Sequence, residues 1–259
     1  MFEIFQYPFF QKAIAGVLII SIAAAVIGTY IVTRRFVAIS GGITHACFGG
    51  LGLGYFMGVN PVITAAFFAV FASLGVDWMA SRARMREDSA IAVIWALGMA
   101  IGVFFVFLTP GYVPELNSFL FGNVLTITGT DLLAFSLFTI VLIAFVAWRF
   151  KEIVACAFDR DFASVMHMPV RLITTAMTVL TAVCIVLTIR LVGVMLLMSM
   201  LAMPQIISEV FCRRFASMMW VSIAISACCC LTGLLLTAVI DVPCSALIVM
   251  VMVAVYIVP

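Results

Sequence analysis

Residues 40–58 read SGGITHACFGGLGLGYFMG, and whether this stretch crosses a membrane decides the fold. Its glycines and its histidine argue against an ordinary span, while Ile43, Cys47, Phe48, Leu51 and Leu53 argue for one. The rest of the chain settles the matter. Of 259 residues, 66% are hydrophobic and 9% charged, and the mean hydropathy is +1.34. A soluble domain of this size needs far more charged surface. Apolar runs of about 17 to 25 residues recur throughout, each long enough to cross a hydrocarbon core. The short alternating segments of a membrane β-barrel are absent. The expected fold is therefore all-α: one polytopic bundle over residues 1–259, with no soluble domain attached.

Spans are expected near 13–33, 36–59, 61–81, 89–108, 131–148, 172–189, 191–208, 215–239 and 242–258, nine in all, with eight as the alternative. The first run lacks a basic region ahead of it and reads as a retained span, not a signal peptide. Segment 110–130 is broken by Pro, Gly and Asn and reads as an external loop with a short re-entrant helix. With the N-terminus outside, only Lys12 and Arg190 of the 13 basic residues face outward. This is the distribution that the positive-inside rule demands, and it places the C-terminus inside.

His45 falls about ten residues into the second span. Gly41, Gly42 and Gly49 lie one turn from it, so the imidazole is expected to stand beside open space. The pair Gly41–Gly42 is expected to break the helix and free carbonyls, as discontinuous helices do in transporters. A membrane-buried ionisable group is a functional candidate by default, and neutral imidazole suits zinc, manganese or ferrous iron. Thr44, Asn117 and Asp131 complete the expected pathway, although Asp131 also fits a helix cap. Gly50, Gly54 and Gly58 form a four-residue stripe for close helix packing. Asp77 is expected to pair with Arg82 and Arg84 near the inner surface.

The eight cysteines lack metal-type spacing and read as packed thiols. The methionines of 193–204 read as gap-fillers in the core. Residues 149–171 form a charged, amphipathic inner segment, suited either to the membrane surface or to a cytoplasmic partner.

On "RRFVAISGGITHACFGGLGLG" (34–54), "REDSAIAVIWALGMAIG" (86–102), "NSFLFGNVLTITGTDLL" (117–133), "FDRDFA" (158–163) and "VGVMLLMSMLAMP" (192–204), the chain resembles the membrane permeases of ABC importers for zinc, manganese or ferrous iron. The resemblance implies a homodimer in the bacterial cytoplasmic membrane. A separate cytoplasmic ATPase would hold the ATP, and an extracytoplasmic binding protein would deliver the metal. No permanently bound cofactor is implied, the divalent metal being cargo, and nucleic acid has no part in it. By the resemblance, His45 lies on the metal pathway, Phe158, Asp159, Phe162 and Ala163 belong to the ATPase-coupling helix, and Arg86, Glu87 and Asp88 form a cytoplasmic charged cluster.

The chain departs from the pattern in three places. Gly41 stands where many members have Asp, His167 where glycine is usual, and Gln205–Ile206 where small residues follow the proline. No GxxxxGK[ST] phosphate loop occurs, so any driving ATPase is expected on another chain. A permease for siderophores or corrinoids is the alternative, although this chain is short for one. A secondary metal transporter would need mid-span carboxylates. An intramembrane protease would need H-E-x-x-H or paired mid-span aspartates, and neither is present.

Overall fold

A computed structural model describes residues 7–82, 85–110, 122, 127–237, 239–240 and 242–257. Every regular element among them is helical: α1 (Pro8–Thr33), α2 (Ala38–Met57), α3 (Pro61–Arg82), α4 (Glu87–Leu108), α5 (Gly129–Trp148), α6 (Phe150–Phe158), α7 (Arg160–Val165), α8 (Val170–Phe211), α9 (Phe215–Thr237) and α10 (Cys244–Ile257). Six of these (α1, α3, α4, α5, α8 and α9) are long and apolar enough to cross a membrane. The 20-residue, glycine-rich α2 is of similar length but falls outside this set. The expected re-entrant segment, with Asn117, lies almost wholly outside the described residues.

The helix ends follow from local chemistry. Pro8 opens α1, where its missing N–H is no loss. Thr128 and Asp131 form a reciprocal capping box at the start of α5. Gly58 closes α2 in the left-handed conformation, φ 66°, with Val59 N–H donating to Gly54 O. Gly58 is thus a cap, while Gly50 and Gly54 pack on α3. A Cβ added at Gly50 would fall 2.6 Å from Ala65 Cα.

The chain is helical from Val170 to Phe211, 42 residues, apart from Gly193 at φ 80°, ψ 170°. At about 1.5 Å per residue a straight helix of that length would measure about 63 Å, twice a hydrocarbon core of about 30 Å. Gly193 resolves the excess by turning the chain. Arg190 meets Asp131 at 2.9 Å at the start of α5. Yet Gln205, fifteen residues on, bonds to Ala24 O in the middle of α1. The second half of α8 therefore runs back into the bundle, and the turn falls inside the segment expected near 191–208.

Pro204 lies inside that second half and cannot donate to Met200 O. The Gln205 side chain supplies the missing donor at 3.1 Å, and Gly28 of α1 leaves it room. This gives the larger residue after Pro204 a structural role. α1 and α8 are buried over most of their surfaces, whereas α4 and α5 face mainly outward.

Candidate functional site

The structure departs from the expected helix break. α2 runs without interruption through Gly41 and Gly42, and its glycines serve contact instead. A Cβ at Gly41 would meet Met198 Cε at 3.0 Å, and one at Gly42 would overlap Ile91 of α4. A Cβ at Gly49 would fall 2.9 Å from Gly98 O. From the α4 side, Gly98 lies against Ala46 Cα and Gly102 against Phe48 O, each 2.5 Å from a hypothetical Cβ. The space expected beside these glycines is occupied by neighbouring helices, chiefly the backbone and side chains of α4. In a membrane, freed carbonyls are costly and a glycine stripe is best used for close approach.

His45 is half-buried on α2. Trp95 of α4 covers it, ring centroids 4.5 Å apart and planes 3° from parallel. Phe48 lies 6.1 Å away on the same helix. The His45 Nδ1 is buried with no hydrogen-bond partner. Trp95 is a feature that the sequence reading missed. Its spacing from Glu87 is visible, but its pairing with His45 depends on how α2 and α4 align.

The other expected pathway residues are placed differently. Thr44 is fully buried and its hydroxyl donates to Ser40 O. Asp131 accepts from Thr128 and pairs with Arg190, so its carboxylate ties the start of α5 to α8. Asn117 is outside the described residues. Among the described residues no three His, Cys, Asp or Glu side chains converge as a metal site.

At the opposite end, α6 and α7 meet at Asp159, which leaves helical geometry and caps α7 by accepting from Asp161 N and Phe162 N. Phe158, Phe162, Val165 and Met166 are exposed. Ala163, expected to touch a partner, is instead fully buried within the chain. Its small side chain seats the segment on the bundle, so the exposed apolar groups are the ones free to meet another protein.

The charged cluster is also divided. Arg86 and Asp88 are exposed, whereas Glu87 Oε1 accepts from Arg160 Nη1 at 2.9 Å and from Arg34 Nη2 at 3.1 Å. Arg34 is nearly buried and stands over the Phe36 ring at 4.8 Å. An open groove of about 1760 Å³ lies beside this cluster, lined by Asp77, Glu87, Arg160, Arg171 and apolar residues of α3, α5 and α8. His45 does not line it. Asp77 accepts from Thr175 Oγ1 at 3.4 Å, and its expected partners, the Arg82 side chain and Arg84, are outside the described residues.

The family model described as the ABC 3 transport family matches residues 6–259. The chain is 34% identical over 251 residues to an uncharacterized membrane protein of Synechocystis sp., covering 97% of this chain and 89% of that one. It is 35% identical over 229 residues to a probable metal transport system membrane protein of Chlamydia pneumoniae, covering 86% and 78%. Among solved structures, PsaBC from Streptococcus pneumoniae in complex with Fab superposes with a TM-score of 0.86 at 23% identity, covering 99% of this chain and 93% of that chain.

Proposed function

The chain belongs to the ABC 3 transport family, and from that premise we propose that it is the permease of an ATP-driven importer for a divalent transition metal. It is a membrane transport subunit, and the hydrolysis of ATP is assigned to a separate cytoplasmic subunit. Two copies form the pathway in a bacterial cytoplasmic membrane, each crossing nine times, and an extracytoplasmic binding protein supplies the ion. The exposed apolar cluster of Phe158, Phe162, Val165 and Met166 carries this reading. It lies on and just after two short helices at the end of the bundle that carries the Arg34–Glu87–Arg160 cluster, and leaves an apolar surface open to an ATPase.

His45 is the residue assigned to the cargo. Its Nδ1 is buried, which leaves Nε2 to replace part of the ion's hydration shell. A second copy brings a second imidazole toward the same axis. Two imidazoles with few carboxylates favour zinc over manganese, whose preference is for oxygen.

The test is uptake of radioactive zinc and manganese by cells with and without the intact transporter, combined with reporter fusions after Lys151 and at Pro259. Both fusions are expected to report from the cytoplasm. An outward-facing Lys151 fusion, or equal uptake in both strains, would overturn the reading.

A further inference from the structure

We infer that Glu87 is an internal strut that carries movement of the ATPase-docking segment to the His45 helix, and is not itself a contact for the ATPase. This rests on the permease reading above and goes beyond it. Glu87 is the first residue of α4, and one of its oxygens holds two arginines of different character. Arg34, at the end of α1, is fixed: its side chain is 5% exposed, donates to Tyr30 Oη at 3.1 Å and stands over Phe36. Arg160 opens α7 directly after the break at Asp159, and so belongs to the docking segment. Among the described residues, Arg160–Glu87 is the one ion pair joining α6 or α7 to a spanning helix.

What happens at Glu87 then reaches His45 through two stiff steps. Trp95 is eight residues along α4, about 12 Å up the same helix. It lies flat on His45. α2 and α4 also touch backbone to backbone at Gly98–Ala46 and Gly102–Phe48, contacts too close for either helix to slide alone. A pull on Arg160 is thus a pull on α4, and α4 cannot move without α2. A half-exposed ion pair contributes little to stability by itself, so its value lies in which elements it joins.

The test uses the full-length chain with its ATPase and binding protein in proteoliposomes, with zinc and manganese ions as cargo. Glu87→Gln, Arg160→Gln, their double variant and Arg160→Lys are compared for ATPase retention and for metal moved per ATP hydrolysed. All are expected to retain the ATPase. Metal moved per ATP should fall at least about fivefold in each neutralised single variant, the lower end of ordinary coupling strengths. The double variant should be no worse than the poorer single, and Arg160→Lys should keep most of the coupling. An unchanged ratio, additive losses, or loss of the ATPase from Glu87→Gln would overturn the strut. Should Glu87→Gln leave no folded permease in the membrane at all, Arg160→Gln decides alone by the same ratio. A wild-type complex that hydrolyses ATP but moves neither ion would instead overturn the permease reading, and the strut with it.

Discussion

His45 and Trp95 come from different helices and lie face to face, 4.5 Å between centroids and 3° from parallel. The indole therefore fixes the plane of the imidazole on a helix that is otherwise rich in glycine. His45→Ala is expected to abolish metal uptake with expression and ATPase binding intact, and His45→Asn to fail in the same way. Trp95→Ala should weaken apparent metal affinity by about tenfold at most, because a stacked pair contributes about 0.5–1.5 kcal/mol. Trp95→Phe should recover most of that loss. Normal transport by His45→Ala would make the residue a packing histidine.

The proposed docking surface gives a second expectation. Phe158→Ser with Phe162→Ser should release the ATPase on purification while the permease still enters the membrane, since both rings are exposed. Ala163→Arg should act differently. Its Cβ is buried, so the charge would unseat the segment and lower the yield of folded permease before any partner is met. Comparable yields from the two variants would count against this division of roles.

Close packing of α2 on α4 sets a third. Gly98→Ala places a methyl group 2.5 Å from Ala46 Cα, whereas Gly129→Ala meets nothing within 4 Å. Overpacking of this kind costs about 1–3 kcal/mol. Gly98→Ala should lower the melting temperature in detergent and Gly129→Ala should not. Equal melting temperatures would show that α2 and α4 separate more easily than their geometry implies.

His167 supplies the fourth. It has φ 55°, the left-handed region that favours glycine, and its side chain is exposed. This accounts for the expectation of glycine at that position. His167→Gly should stabilise the protein by about 1 kcal/mol, the lower end of the cost of a left-handed non-glycine residue. Thermal unfolding of purified permease measures it, and a lowered midpoint would mean that the imidazole has a partner of its own.

The long apolar helices were legible because apolar runs of membrane length are a signal of composition, and the six that the structure describes each begin within a few residues of an expected span. A boundary was expected at Arg190, between 172–189 and 191–208, but Gly193, inside the second of these, was not singled out. Nor was the role of Gly41 and Gly42 legible. Glycine weakens a helix in water, but whether it breaks or packs in a membrane depends on what lies across from it. Here that is Ile91, about fifty positions away, and nothing near Gly42 in the sequence announces it. Ala163 misled for a related reason: a small residue fits a close contact within the chain as well as one with a partner. Trp95 went unnoticed because a tryptophan in an apolar run looks like any other until the helices are set side by side.

Gly193 has a consequence for how the protein is made. A one-residue turn provides no loop that could be passed across the membrane on its own. On the nine-span topology proposed above, the two halves of Val170–Phe211 would enter the bilayer during synthesis as a pair, with Arg190 beside the turn. A side chain at position 193 would be strained by the positive φ before transport is ever at issue. Biogenesis, with the choice between a hairpin and one overlong rod, is the stage at which this glycine is needed.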